Sequence, residues 1–442
     1  MKPDSRSTFD RNDWFIACPD CDLVLPKTQP PKGSRTECPR CGSVLLNHCH
    51  ETVSRSLALA LCGLLLYFPA IFAPLLTFRK LGLSESGNVL NTIGQFIDKE
   101  YYLVAVIVFF SAVLFPLAKL SLLATVSFCL KIDRHPEFLK AFFRMYNHLA
   151  EWAMVEVYLL GITVTIIKMQ HSTDIYFNAG FYCFIGLVLI TVATSLSVCK
   201  ESFWMLIESK GKRNWQYFNN TLSSALAIGI RTAAANNLYL CRECGLLCYS
   251  HPEEGDKKQL CRRCGATLYF RKPASLSRTW ALTITALLLM FPANLLPIMH
   301  VDFLGIPSDS TILDGIKIFF QEGSYVIALI ILTASILIPV FKIVGLTIIL
   351  LTIKFKRVKY LRQKTSMFRF IEFIGRWSML DIFVIALLGF FVNFGFLSSI
   401  ETAPAATYFC LVVVTTMFAA ITFDPRLLWD LLSAEENHEH ST

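Results

Sequence analysis

The sequence predicts an all-α polytopic membrane protein of two tandem parallel repeats, each a four-cysteine zinc ribbon followed by a four-helix transmembrane bundle. Three observations predict it: long apolar runs, a cysteine motif written twice, and basic residues gathered on one side of the runs. Of 442 residues, 54% are hydrophobic and 17% charged, where an ordinary soluble chain carries roughly 25% charged residues. The charges fall in blocks between apolar runs long enough to span a bilayer, about 18 residues or more. This pattern excludes a soluble enzyme, a secreted disulfide scaffold and a disordered protein.

Eight spans are expected, at about 57–78, 101–130, 150–167, 175–198, 279–301, 324–353, 376–399 and 403–423. The third is short and contains Glu156. No cleavable signal peptide is expected, because the first apolar run follows a long polar stretch. With the N-terminus inside, segments 1–56, 131–149, 199–278, 354–376 and 424–442 hold 34 Lys and Arg, against five on the other side. That asymmetry predicts cytoplasmic N- and C-termini. The net charge of +8 is then a topology signal and argues against nucleic acid as a partner. The expected organisation is an N-terminal ribbon (1–56), a first bundle (57–198), a linker holding the second ribbon at about 239–270 (199–278), a second bundle (279–423) and a tail (424–442).

The chain is written twice. Cys18, Cys21, Cys38 and Cys41 recur as Cys241, Cys244, Cys261 and Cys264, each shifted by 223. The same shift carries Phe68-Pro69-Ala70 onto Phe291-Pro292-Ala293, Pro116 onto Pro339 and Lys119 onto Lys342. Further on the shift is 225, taking Trp152, Met154, Glu156, Thr191 and Trp204 onto Trp377, Met379, Asp381, Thr416 and Trp429. Four spans per half is an even number, so the halves share one orientation and a pseudo-two-fold axis along the membrane normal. Between the first two spans of each half, Leu90, Ile93, Phe96 and Ile97 recur at helical spacing, as do Ile312, Ile316, Phe319 and Phe320. These predict short helices along the outer face, and Asn219 to Ala235 a surface helix.

Each cysteine module reads C-x2-C, sixteen residues, C-x2-C. Two such knuckles place four thiolates tetrahedrally around Zn2+, and the glycines after Cys41 and Cys264 suit the knuckle turn. The cytosol is reducing, so structural disulfides are not expected there. Two Zn2+ ions are therefore expected, with iron or redox dithiols as the alternatives. Four Cys ligands leave no open position for metal catalysis, and the metals would fold domains too small for a core. Cys49 and Cys248 break the repeat and are read as non-ligands.

Ionisable groups inside the bilayer are candidates for function. Lys119 and Lys342 lie roughly 16 Å from the inner ends of long spans, each three residues after a proline that permits a kink. Glu156 and Asp381 are their expected partners, with Thr191 and Thr416 as matched hydroxyls. Ser378 stands where the first half has Ala153. The plain reading is that these pairs tie helices together. The sharper reading is a proton relay through Lys342, Asp381, Ser378 and Thr416. No phosphate-binding loop, zinc-protease helix or nucleophile elbow is present, so the chain is not expected to be an enzyme.

Pro292-Ala293-Asn294-Leu295-Leu296-Pro297-Ile298, Gly375-Arg376-Trp377-Ser378-Met379-Leu380-Asp381 and Phe423-Asp424-Pro425-Arg426-Leu427-Leu428-Trp429-Asp430, with the paired cysteine modules, resemble the paraquat-inducible protein A family. The resemblance covers nearly the whole chain and is sharpest in the second half. It implies a multi-pass inner-membrane protein of a diderm bacterium whose partner is a periplasmic tunnel of mammalian-cell-entry (MCE) domains. The implied function is intermembrane transport of lipid, in particular phospholipid, in support of envelope integrity. Two alternatives stand beside it: a membrane-anchored metal or redox sensor, and a structural docking platform for the tunnel.

Overall fold

In a computed structural model of the chain, the apolar runs are helices, and short β-hairpins join them on one side. The structure describes residues 15–439 except 28–30, 32–33, 48–52, 81–82, 170–173, 209–231, 237, 250–258, 304–305, 322, 324 and 392–397. The first half contains α1 (Val53–Phe72), α2 (Val89–Asp98), α3 (Tyr102–Val108), α4 (Phe115–Lys131), α5 (Phe138–Trp152), α6 (Val155–Met169), α7 (Ala179–Ser197) and α8 (Lys200–Glu208). The second half contains α9 (Ser275–Leu295), α10 (Ile312–Gln321), α11 (Tyr325–Ile331), α12 (Ile338–Lys354), α13 (Leu361–Gly375), α14 (Leu380–Phe391), α15 (Ala405–Thr422) and α16 (Arg426–Glu439).

Seven helices among the described residues are long and apolar enough to cross a membrane, and the protein is multi-pass. Of the run expected at 376–399, Leu380–Phe391 is helical and 392–397 lie outside the described residues. The third span of the first half is longer than the sequence suggests: helix runs from Phe138, with a break at Ala153–Met154. Lys140, Arg144, His148 and Glu151 hide the first part from a hydropathy reading, while Leu139, Phe143 and Tyr146 bury one stripe of it. In the second half α13 likewise occupies the segment expected as a loop, and a 3-10 turn at Arg376–Met379 precedes α14. The surface helix expected at Asn219 to Ala235 falls mostly outside the described residues; Ala234–Asn236 is a 3-10 turn.

Each second span carries one π-helical turn, Phe109–Leu114 and Leu332–Leu337, two residues before Pro116 and Pro339. A proline has no N–H to give the preceding turn, and the wider turn accommodates that loss. In the first half the Tyr67 hydroxyl donates to the Val113 carbonyl at 2.7 Å. The second half has Met290 at the matching position.

The all-α expectation is corrected at the end of the spans where α1 and α9 finish. β5 (Leu76–Lys80) lies between β6 (Leu83–Gly87) and β7 (Asp174–Phe177), and β10 (Met299–Phe303) between β11 (Ile306–Ser310) and β12 (Ser398–Thr402), all antiparallel. Phe78 pairs with both Glu85 and Ile175, and Val301 with both Ser308 and Ile400. Each sheet thus ties the segment after α1 to the one after α6, and the segment after α9 to the one after α14. The expected short helices follow as α2 and α10, with Val89, Ile93 and Phe96 of α2 buried.

The halves meet through α6 and α14. The Tyr158 and Phe383 rings are 5.2 Å apart, and a Cβ placed on Gly161 would lie 3.1 Å from the Phe383 Cβ. A single core therefore runs from Tyr67 to Met417 across both halves.

The ribbons cross over. The first, with β1 (Phe15–Ala17) to β2 (Val24–Pro26) and β3 (Arg35–Glu37) to β4 (Val44–Asn47), packs its cysteines against Leu346, Leu350, Phe368, Phe423 and Trp429 of the second half. The second, with β8 (Leu238–Leu240) and β9 (Leu247–Tyr249), packs against Leu123, Phe143, Phe203 and Trp204 of the first half. Chain order places each module before one bundle, and packing sets it beneath the other. The ribbons also touch each other through Ala17, Val24, Leu238 and Leu247.

Candidate functional site

All eight cysteines of the repeated motif are buried and fall into two clusters, Cys18, Cys21, Cys38 and Cys41, and Cys241, Cys244, Cys261 and Cys264. Within each cluster the four Sγ atoms lie within 4.8 Å of one another. The closest pairs are Cys18–Cys41 at 3.4 Å and Cys21–Cys38, Cys241–Cys264 and Cys244–Cys261 at 3.5 Å. A tetrahedron with 2.3 Å metal–sulfur bonds has edges of about 3.8 Å, and none of these thiols is in a disulfide. Four converging thiols with no other charged ligand therefore fit a metal ion. Hydrogen bonds from Cys18 and Cys21 hold the Cys38 and Cys41 thiols below their usual range, and Cys241 and Cys244 do the same for Cys261 and Cys264. Cys248 lies in the packing around the second cluster without being one of its four thiols, and Cys49 lies outside the described residues.

Each knuckle closes with two backbone bonds. For the second knuckle of the first ribbon, Cys38 N–H donates to the Ser43 carbonyl at 2.7 Å and Gly42 N–H to Cys38 at 2.8 Å. The residue after each second cysteine is left-handed: Gly42, Gly245 and Gly265 at φ 73°, 70° and 72°, and Asp22 at φ 62°. Asp tolerates that region better than most side chains, and its carboxylate is put to use. Asp22 accepts from the Ala234 N–H at 3.0 Å and lies 3.2 Å from Arg271 and 3.7 Å from Arg426. Burial pushes its carboxyl above the usual range, against the pull of those two guanidiniums.

This opens a charged network that joins both ribbons to the C-terminal tail. Asp424, fully buried, is 2.7 Å from Arg242 of the second ribbon and 3.1 Å from Arg426. Burial opposes its ionisation, but hydrogen bonds from Arg426 and the charge of Arg242 outweigh it and hold the carboxyl at about 2. The Lys272 N–H donates to Asp424 at 3.0 Å, and its ammonium caps the carbonyls of Ile421, in the last turn of α15, and of Phe423 just after it. Arg271 also pairs with Asp430 at 2.6 Å. At the second ribbon Arg263 pairs with Glu208, and the Trp204 indole donates to the Glu243 carbonyl. At the first, Arg369 donates to the Cys41 carbonyl at 3.0 Å and Arg40 stacks over Trp429.

Inside the spans, Lys342 is 1% exposed and donates to Ser378 Oγ at 3.1 Å. Ser378 sits in the 3-10 turn between α13 and α14, so the break presents the hydroxyl to the lysine. Thr416 is buried and bonds back to Val413. Asp381 is placed at the start of α14; its side chain is outside the described residues. In the first half Lys119 donates to Ser195 Oγ at 3.3 Å. The Thr191 hydroxyl reaches the Val188 carbonyl at 2.8 Å and Glu156 Oε1 at 3.3 Å. Ser195 is not among the residues that sequence singles out, because its counterpart is Ala420. The signal is there in mirror form. Ser378 faces Ala153 across the repeat and Ser195 faces Ala420, so each buried lysine meets a serine, from the turn before α14 in one half and from α7 in the other.

The profile of the paraquat-inducible protein A family matches residues 53–208 and 276–433. The chain belongs to this family. The two matched segments cover most of the chain and leave both cysteine clusters outside. Among relatives, the "Intermembrane transport protein PqiA" of Escherichia coli (strain K12) is 31% identical over 428 residues, 96% of this chain and 98% of the relative. The "Lipophilic envelope-spanning tunnel protein A" of the same organism is 30% identical over 416 residues, 94% and 91% of the two chains. A "Probable intermembrane transport protein" of Haemophilus influenzae is 27% identical over 423 residues, 96% and 97%. No solved structure gives a significant match.

Proposed function

We propose that this protein is an inner-membrane component of an intermembrane lipid transport pathway, passing phospholipid between that membrane and a periplasmic tunnel of MCE domains. The observation that carries the reading is full-length likeness to relatives named for intermembrane transport and for an envelope-spanning tunnel. The proposal includes eight spans in two parallel repeats, with both termini cytoplasmic. The stretch 376–399 supplies the eighth span, which an even count and the one-sided basic residues support. The ribbons hold two Zn2+ ions through four cysteines each, and their role is structural rather than catalytic. The chain is not an enzyme.

In this reading Lys342, Ser378, Asp381 and Thr416 form the working proton relay. Lys119, Glu156 and Thr191, with Ser195, form its structural counterpart. The support is the desolvated Lys342 placed on a hydroxyl at a helix break, where proton gain or loss would alter how two spans pack. The test replaces Lys342 by Gln and Asp381 by Asn in cells, with membrane insertion verified. The expected outcome is loss of envelope integrity with loss of lipid capture by a photocrosslinker beside residue 342. Intact envelope function in both variants would remove the relay, and a crosslinker that never captures lipid in the wild type would remove the lipid pathway.

A further inference from the structure

The loop that closes the second span of the second half carries a chemistry that its counterpart lacks. Both spans end in the same backbone closure. In the first half the N–H groups of Ile132, Asp133 and Arg134 bond back to the Phe128, Leu130 and Cys129 carbonyls, with Asp133 at φ 58°. Shifted by 223, those of Phe355, Lys356 and Arg357 reach Leu351, Ile353 and Thr352, with Lys356 at φ 50°. Asp visits this left-handed region more readily than Lys, so the closure by itself does not call for Lys at 356.

The charges differ more sharply. Residues 131–139 balance Lys131 and Arg134 against Asp133 and Glu137, and Asp133 is 2.9 Å from His135. Residues 354–362 contain Lys354, Lys356, Arg357, Lys359 and Arg362 and no acidic residue. All five are exposed, and among the described residues none enters an ion pair. Phe355 and Tyr360 lie among them at 63% and 70% exposed, with Glu137 at the position matching Tyr360. Five crowded cations repel one another, and the two bare aromatic rings among them are poorly suited to water. They suit a boundary with anions in front and hydrocarbon behind. Lys354 ends a span, which places the loop at such a boundary.

We propose that residues 354–362 form a binding surface for anionic phospholipid headgroups of the adjoining leaflet, the basic side chains meeting phosphate and Phe355 and Tyr360 seated in the interface. The surface depends on the membrane placement of Lys354 and not on the transport reading. A soluble polyanion would satisfy the charges but leave the two rings without a role.

The test uses the full-length protein in nanodiscs of phosphatidylcholine with a minor fraction of phosphatidylglycerol, the bound lipid shell being read by native mass spectrometry. Phosphatidylglycerol is expected to be enriched around the wild type, and the enrichment to fall about fivefold for each basic residue neutralised and to weaken in high salt. The decisive variant is K356D/Y360E, which installs the residues the first half carries at matched positions and preserves the backbone closure. A second, K354Q/R357Q/K359Q/R362Q, removes charge without adding any. Full enrichment in both variants, or equal retention of the two lipids by the wild type, would overturn the proposal. Full enrichment in F355S/Y360S would also overturn it, since the surface would then recognise charge alone.

Discussion

At the residue scale, the two four-cysteine clusters are readable because their chemistry is local: two cysteines in one turn, twice, at a fixed interval. Partners that come from another span carry no such mark. Ser195 is invisible to a comparison that looks for the same residue in both halves, since its counterpart is Ala420. The exchange of hydroxyls between elements argues that each half sets a serine hydroxyl on its buried lysine, whichever helix supplies it. Ser378→Ala should therefore destabilise the protein by about 1–3 kcal/mol, because a buried donor loses its acceptor. Adding Ala420→Ser, which places the hydroxyl where the first half has it, should recover part of that loss. Thermal unfolding of the purified protein in detergent would read both; equal stability of Ser378→Ala and wild type would show that the serine is dispensable. Asp22 likewise carries no signal in the sequence beyond replacing the glycine of the other three knuckles, yet it connects the two ribbons.

At the element scale, apolar runs and prolines announce the spans, while the β-strands escape notice. Leu76 to Lys80 reads as the frayed end of a span, and a five-residue alternation is too short to compete with a twenty-residue helix pattern. How tightly that junction is built can be measured at Gly180, in the first turn of α7. A Cβ there would lie 2.6 Å from the Pro74 carbonyl oxygen and 2.7 Å from that of Ala73, both backbone atoms that lead into β5. Gly180→Ala should cost roughly 1–3 kcal/mol, the range of overpacking in a core. Gly94, inside α2, has nothing within 4 Å of its virtual Cβ, so Gly94→Ala should be neutral or stabilise by up to about 1 kcal/mol. An unfolding temperature for Gly180→Ala at or above that of the wild type would refute the close approach at Gly180.

At the scale of the whole molecule, chain order hides the crossed packing, since nothing in a sequence says which bundle a ribbon will rest on. The Asp22, Arg242, Arg271, Asp424 and Arg426 cluster ties both ribbons to the tail. Asp424 has its pKa lowered from 3.8 to about 2, so its contribution is complete above about pH 4 and disappears as the pH falls through 2. For so buried a carboxylate that contribution is on the order of 2 kcal/mol, and Asp424→Asn should flatten the acid limb of a stability–pH curve. The crossing also fixes where the loss of a metal would be felt. A ribbon too small for a core of its own would depend on a metal held by its four thiols, and the surface it covers belongs to the other half. Cys18→Ser with Cys41→Ser should expose Leu346, Leu350 and Phe368, raising hydrogen exchange in α12 and α13. Cys241→Ser with Cys264→Ser should instead raise it in α4, α5 and α8, around Phe143 and Trp204. Exchange that rose in the half following each ribbon in the chain, rather than in the opposite half, would mean that the ribbons are not crossed.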